Sequence, residues 1–370
     1  MEDHDTLDAP ASLDHEKAIV FAAMAARTWT QSKETGTEAE SISGRELLSS
    51  LMRATTWVCR ARAHHHATPL RNHELVDSFT QPLREWLPGG PDMALLDESG
   101  PTPLCLELAE EAGASPTAEI EQRVILRAMN HVAFDADAAT RYTAFRRFLV
   151  ENPTTTEAEA ARAARSVGVT LADLYGTIPI NARITANDRG GNGFFPCPRC
   201  RWPMRIFRDV VTCAYSESCL AAGARYRLRD EGLLPLGSLP APAAMNCTGM
   251  AALRPGVWRF TTLPGIEEVS LEKRLLGLSD VQVDLWPFVD RYDLHVRKHD
   301  LHWRIDVKDR VSVMKLAQYL SEHPTSELIW IVVPDARRDQ VRFLERRVPS
   351  SCGYHFAHSS ALVRHVGGEA

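Results

Sequence analysis

The sequence predicts an α+β multidomain protein with an all-helical N-terminal domain, a zinc-ribbon module and a C-terminal α/β domain. Three observations carry this expectation. Residues up to about Tyr175 repeat apolar side chains, many of them alanine, at helical spacing. Four cysteines gather between residues 197 and 219. The last hundred or so residues alternate helix-like and strand-like segments in the order α-β-β-β-α-β, followed by α-β. The expected boundaries are a disordered tail over 1–15, a helical domain over 16–180, a linker over 181–193, a ribbon with its connector over 194–250, and the α/β domain over 251–370.

With 370 residues, 44% of them hydrophobic, the chain can bury more than one core. No apolar run approaches the roughly 20 residues of a membrane span. The start, Met1-Glu2-Asp3-His4-Asp5, is acidic where a secretory signal is basic and then apolar. A cytoplasmic protein is therefore expected, with its eight cysteines reduced. The net charge of -6 is uneven: residues 1–189 hold 18 Lys and Arg against 28 Asp and Glu, and residues 190–370 hold 24 against 20. A polyanionic partner is thus to be sought on the C-terminal half.

In the N-terminal half the spacing predicts helices over Glu16–Ala26, Gly44–Ala61, Ile120–Val132 and Arg141–Val150. His64-His65-His66 cannot share one helical face, so it reads as a surface run. Within 157–175, Ala164, Gly168, Thr170 and Leu174 have the spacing of a helix-turn-helix, with an ordinary helical hairpin as the alternative. The second segment, Leu171–Tyr175, carries no positive charge, which argues against base reading. Asn and Gly then crowd residues 187–193, marking a boundary.

Cys197-Pro198-Arg199-Cys200 is followed, after twelve residues, by Cys213 and, after five more, by Cys219. Two paired thiolates on each of two turns suit one tetrahedral structural Zn²⁺, with Cys247 as an alternative ligand. Four thiolates leave no open coordination position, so no catalysis is expected there. Cys59, Cys105 and Cys352 are isolated and read as small core residues.

The C-terminal segment reads as a helix over Ser270–Leu278 carrying Glu272, strands over Val281–Trp286, Tyr292–Arg297 and His302–Lys308, a helix over Val313–Glu322, a strand over Leu328–Val333, a basic helix over Arg338–Arg346 and a last strand over Tyr354–His358. Strand alternation puts Asp306 and Lys308 on one face with Val307 on the other, and the neighbouring strand can bring Asp293 beside them. Two carboxylates and a lysine at one point are costly as core packing but suit a magnesium site acting on a phosphodiester. Glu272 can hold the metal directly or through water. Lys308 can orient a water or stabilise charge on phosphorus. Lys315 and Gln318 on the next helix, and Arg338 and Arg342 within the run Arg337–Arg347, are candidate phosphate contacts.

At these residues the chain resembles the PD-(D/E)xK restriction-endonuclease superfamily: Asp293 stands at the first acidic position, Asp306 and Lys308 at the D/E-x-K positions, and Glu272 at the helix acid. Tyr292 replaces the usual proline. The strings Leu271-Glu272-Lys273, Asp284-Leu285-Trp286-Pro287, Asp290–Leu294, Asp306–Asp309 and Trp330–Asp335, with the cysteines upstream, are similar to one family in particular. It is the restriction-endonuclease-fold component of prokaryotic PIWI (pPIWI-RE) defence islands, and the likeness spans roughly 140–335. The resemblance implies a restriction-endonuclease-like C-terminal domain with an αβββαβ core. It implies Mg²⁺ or Mn²⁺ on Asp293, Asp306 and the Val307 carbonyl, and a DNA endonuclease of anti-phage or anti-plasmid defence. Its partners would be DNA or an RNA–DNA hybrid, a PIWI/Argonaute-like protein and a helicase, with a homodimer as a further state. A non-catalytic nucleic-acid- or protein-binding adaptor of the same complex is the alternative.

Overall fold

The computed structural model describes residues 9–33, 44–90, 92–98, 100–102, 104–105, 108–109, 137–184, 192–213, 217–229, 232–287, 291–310 and 312–368. The helix expected over Ile120–Val132 and the acid Asp290 lie outside the described residues. The chain is a mixed α+β protein forming two compact units, residues 1–116 with 205–241, and residues 117–204 with 242–370.

In the first unit, small side chains let two long helices approach closely. Ala18, Ala22, Ala23, Ala25 and Ala26 on the helix Ala9–Lys33, and Leu51, Ala54, Val58 and Ala61 on the helix Gly44–Ala63, are all buried. Residues 205–241 supply an antiparallel four-stranded sheet in the order Gly232–Pro235, Arg225–Arg229, Val210–Thr212, Arg205–Phe207. Two further short strands, Leu96–Asp97 and Gly100–Pro101, pair within this unit. Its N-terminal part is therefore helical with a small strand pair, rather than all helix.

In the second unit the first described helix is α1 (Ala138–Glu151), whose Tyr142, Phe145 and Leu149 are buried. The segment after it, expected to continue a helical domain, departs from that pattern. Thr154–Thr156 and Tyr175–Thr177 flank Met250–Leu253 in a three-stranded antiparallel sheet, a pairing some seventy-five residues or more away along the chain. Between them the helix Glu157–Ser166 carries a capping box, with the Thr156 hydroxyl accepting from the Glu159 N–H at 3.3 Å. Gly168 adopts φ +69°, and the Thr170 hydroxyl caps the next turn, accepting from the Asp173 N–H at 3.3 Å. The turn and cap are those of the sequence reading. The second helix, however, is the single turn Leu171–Leu174, and the strand Tyr175–Thr177 ends it.

Then α2 (Leu263–Leu276) leads into β1 (Val281–Leu285), β2 (Leu294–Lys298), β3 (Leu301–Val307), α3 (Val313–Glu322), β4 (Ile329–Val333), α4 (Asp339–Arg347), β5 (Tyr354–His358) and α5 (Ser359–Gly367). The sheet runs β1-β2-β3-β4-β5, antiparallel through β3 and parallel from β3 to β5. Alternation builds its two faces: Ile331 and Val333 pack with Leu316, Ala317 and Leu320 of α3 and Leu344 of α4. Asp306 is the register partner of Ile331, so it shares the α3 side, one end of which it makes polar.

Gly265 lies where α2 meets α1: a Cβ there would sit 2.3 Å from Val150 Cγ2. Gly265→Ala should lower stability by about 1–3 kcal/mol through overpacking, read as an earlier urea midpoint, with Val150→Ala in the same chain restoring part of the loss.

Past β4, Asp335 caps the start of α5. Its Oδ1 accepts from the Ser360 N–H and hydrogen-bonds His358 Nδ1, each at 2.7 Å, and its Oδ2 accepts from the Ser360 hydroxyl at 2.6 Å and Arg274 at 3.0 Å. Burial pushes this carboxyl up, but the bonds from Ser360, His358 and Arg274 outweigh it and hold it far below the usual carboxylate range. The folded state therefore binds the proton more weakly than the unfolded chain. The resulting stability is present above about pH 4 and is lost as pH falls through the folded pKa. Asp335→Asn should thus be less stable at neutral pH and show a shallower loss on acidification, measured as urea midpoint against pH.

Candidate functional site

Hairpin register brings the sequence-predicted acids together. Leu294 pairs with Ile305, so Asp293, just before β2, faces the end of β3 that carries Asp306, Val307 and Lys308. Asp293 Oδ2 accepts from the Val307 N–H at 2.7 Å. Lys308 Nζ lies 3.4 Å from Asp306 Oδ2, both side chains a little over a quarter exposed, at 28% and 27%. The Lys308 N–H donates to the Val332 carbonyl at 2.8 Å, which fixes the strand end that presents these groups.

Two acids of α2 face α1. Glu272 is buried against α1, where Arg147 clamps its two oxygens at 2.7 and 2.8 Å. One turn earlier, Glu268 is buried at 2% exposure, and its charge acts on both Asp293 and Lys308. Arg146 donates to both Glu268 oxygens, at 3.2 and 2.9 Å, and stacks 4.5 Å from the Trp286 ring centroid. The Trp286 indole also donates to Glu268, while its backbone N–H donates to the Asp293 carbonyl at 2.9 Å. Trp286 thereby ties the two acids together, and it does so at φ +49°, a conformation that bulky side chains rarely adopt. Strain of this kind, held in place by its surroundings, gathers at functional sites.

The electrostatics follow from this crowding. Burial first, and then the negative charges of Glu268 and Asp306, hold the Asp293 carboxyl well above its usual range, with Lys308 and Arg146 opposing. Burial works against the Lys308 charge, but Asp293, Asp306 and Glu268 outweigh it and raise the ammonium pKa. The cluster therefore sets three acids against Lys308 and Arg146, with Asp293 pushed toward its protonated form and Lys308 held in its charged form. That is the donor chemistry a divalent ion suits, because added positive charge relieves the repulsion between the acids.

Of the other expected residues, two lie on α3 and two on or beside α4. The Lys315 N–H is capped by the Ser312 hydroxyl at 3.4 Å, and Gln318 donates to Glu322 at 3.0 Å, both on α3. Arg338 and Arg342 are exposed on and beside α4. Arg337, from the same basic run, is instead nearly buried in an ion pair with Asp309. Asp284 is bound by Arg297 at 3.0 Å across the hairpin.

The sulfurs of Cys197, Cys200, Cys213 and Cys219 all lie within 4.8 Å of one another, and all four cysteines are buried. Such a cluster can bind a metal such as zinc. Local structure shapes the first pair: the Cys197 N–H donates to the Trp202 carbonyl at 2.9 Å, and Arg201 turns the chain at φ +60°. Cys247 is half-buried and is not one of the four. Arg199, between the first two cysteines, ion-pairs with Glu267, the neighbour of Glu268 on α2.

Fold and site together define a mixed α+β protein with a carboxylate–lysine cluster at one end of the central strand of a five-stranded sheet, and a four-cysteine cluster. Residues 265–370 match the family described as the REase associating with pPIWI_RE, and residues 46–156 match the pPIWI_RE three-gene island domain Y. Both matches are thus to pPIWI-RE island families, and the C-terminal one is to their associated REase. No curated protein and no solved structure matches it. Among the described residues no helix is long and apolar enough to cross a membrane.

Arg146, Glu268 and Trp286 were missed by the sequence reading. One signal for Glu268 was present: Pro264 suits the first turn of a helix, and a start there puts Glu268 and Glu272 on one face.

Proposed function

We propose that the C-terminal part of this chain is a metal-dependent endonuclease of the PD-(D/E)xK type, hydrolysing phosphodiester bonds in DNA or an RNA–DNA hybrid within a defence island. The observation that carries this reading is the convergence of Asp293, Asp306, Lys308 and Glu268 at one end of a sheet whose elements run α-β-β-β-α-β. Asp293, Asp306 and the Val307 carbonyl would hold Mg²⁺ or Mn²⁺, which when bound supplies Lewis acidity toward the scissile phosphate and lowers the pKa of a coordinated water. Lys308 orients the attacking water and stabilises the negative charge that builds on the phosphoryl oxygens. Glu268, fixed by Arg146 and Trp286, sets the charge balance of the pocket and keeps Asp293 in place. Water attacks phosphorus in line, the P–O3′ bond breaks, and the products carry a 5′-phosphate and a 3′-hydroxyl. Lys315, Gln318, Arg338 and Arg342 are candidate backbone contacts, and the PIWI-like protein and helicase of the island are the expected partners.

We assign the four-cysteine cluster to one structural Zn²⁺. Purified protein should contain one zinc per chain by atomic emission, and Cys213→Ser should lose it together with thermal stability. Full zinc retention in that variant would reject the assignment.

The nuclease reading is tested by incubating the full chain with supercoiled plasmid, single-stranded DNA and an RNA–DNA hybrid, with Mg²⁺ or Mn²⁺, alone and with the island's PIWI-like protein and helicase. Cutting that requires the metal supports the enzyme. Binding without cutting under every condition favours the adaptor.

A further inference from the structure

Asp293 stands one residue before β2, outside the ladder that fixes the rest of the hairpin. Next to it in the chain, a side-chain cluster is built on Glu327, in the turn between α3 and β4. Three donors converge on that one carboxylate. Arg291 donates to Oε1 at 2.6 Å, the Tyr292 hydroxyl donates to Oε2, and Arg304 Nε lies 3.3 Å from the same Oε2. The two guanidinium groups also lie 5.4 and 5.9 Å from the Tyr292 ring centroid, so the ring is held by cations as well as by its hydroxyl. Tyr292 is 6% exposed.

The cluster reaches both site acids through the chain itself. Tyr292 is bonded directly to Asp293. Arg304 precedes Asp306 by two residues on β3, so strand alternation puts both on one face, roughly 7 Å apart along the strand. Glu327 thus joins the segment that carries one acid to the strand that carries the other. Its own place is fixed from the backbone: its N–H donates to the Thr325 hydroxyl at 3.1 Å, and the Thr325 N–H donates to the Cys352 carbonyl at 2.9 Å.

Stability does not account for the arrangement. The Arg291, Arg304 and Glu327 side chains are 58%, 40% and 33% exposed, and ion pairs so open to water contribute little. What three donors on one carboxylate do supply is fixed geometry. A cation held by two carboxylates needs them at a set spacing, and the groups that orient such ligands tune its affinity.

We propose that Glu327 is a positioning residue for the carboxylate–lysine site: by holding Tyr292 and Arg304 at once, it sets where Asp293 stands against Asp306 and so strengthens their grip on a divalent cation. This inference rests on the nuclease reading and concerns how the cation of that site is held. Tyr292 transmits the effect to Asp293, and Arg304 transmits it to β3.

The test is Mn²⁺ binding to the zinc-loaded full chain without nucleic acid, followed by the electron paramagnetic resonance signal of the free ion, with Asp306→Asn marking which binding belongs to the site. Tyr292→Phe removes only a hydroxyl and no charge, and it should weaken Mn²⁺ binding about tenfold. Glu327→Ala should weaken it about ten- to a hundredfold, the range for groups that orient metal-holding side chains. The double variant should bind no more weakly than Glu327→Ala alone, because both changes break one clamp. Melting temperature and zinc content should stay near wild type in Tyr292→Phe, which separates positioning from folding. Wild-type affinity in Tyr292→Phe, or losses that simply add in the double variant, overturns the positioning role and leaves the nuclease reading standing. Mn²⁺ binding by wild type that Asp306→Asn does not reduce, or no Mn²⁺ binding at all, overturns both.

Discussion

Asp306→Asn and Lys308→Met should each reduce metal-dependent cleavage by at least about a thousandfold, while leaving zinc content and melting temperature near wild type. The size follows from what each group does. Removing one preorganised electrostatic contact from a developing oxyanion costs on the order of 10²–10³ in rate, and a lost metal ligand removes the activated water as well. The two variants should fail differently. On the proposed mechanism Asp306→Asn takes away one of the carboxylates holding the cation, so raising Mn²⁺ should recover part of its activity. Lys308→Met leaves both carboxylates in place, so its loss should persist at saturating metal. Stability should change little because the Lys308–Asp306 pair is partly exposed, at 28% and 27%, and such pairs contribute modestly. Undiminished cutting by either variant would mean that the nuclease centre lies elsewhere in the chain.

Arg146→Met carries the largest expected effect on folding. Arg146 and Glu268 are 7% and 2% exposed, so deleting the guanidinium leaves a buried carboxylate without its counter-charge, at a cost of about 3–5 kcal/mol. Met keeps most of the volume, so the loss is electrostatic rather than a cavity. In the double variant Arg146→Met/Glu268→Gln the buried charge is gone, and much of the stability should return. Activity should not return, because the acid next to Asp293 has been neutralised. Chemical denaturation of the four proteins forms the thermodynamic cycle. A loss below about 1 kcal/mol in the single variant would show that water reaches Glu268.

What could be read from the sequence was what depends on local periodicity. The two-residue repeat of a strand places Asp306 and Lys308 on one side whatever surrounds them, and the short hairpin loop brings Asp293 level with them. The cysteine spacing likewise announces its cluster, because two turns of the chain suffice to gather the sulfurs. Arg146 was not legible in this way. Its partner Glu268 lies 122 residues away, and nothing in the helix around Arg146 distinguishes it from Arg147 beside it. Glu268 was lost for a more local reason: reading α2 from Ser270 instead of Leu263 left it in a loop, so Glu272 was the helix acid the sequence offered. The strands Thr154–Thr156 and Tyr175–Thr177 were invisible because each is three residues long and exists only through pairing with Met250–Leu253. Trp286 was read merely as the end of a strand, since a positive φ leaves no mark in composition.

The bond between Arg146 and Glu268 has a practical consequence for anyone dissecting this protein. The C-terminal family match covers residues 265–370. An excised fragment with those ends would retain Asp293, Asp306 and Lys308 but discard α1, stranding the Glu268 and Glu272 carboxylates with neither arginine to meet them. The heritable module and the folding module therefore have different edges. A truncation that respects the second must reach back at least to Ala138 and carry everything between.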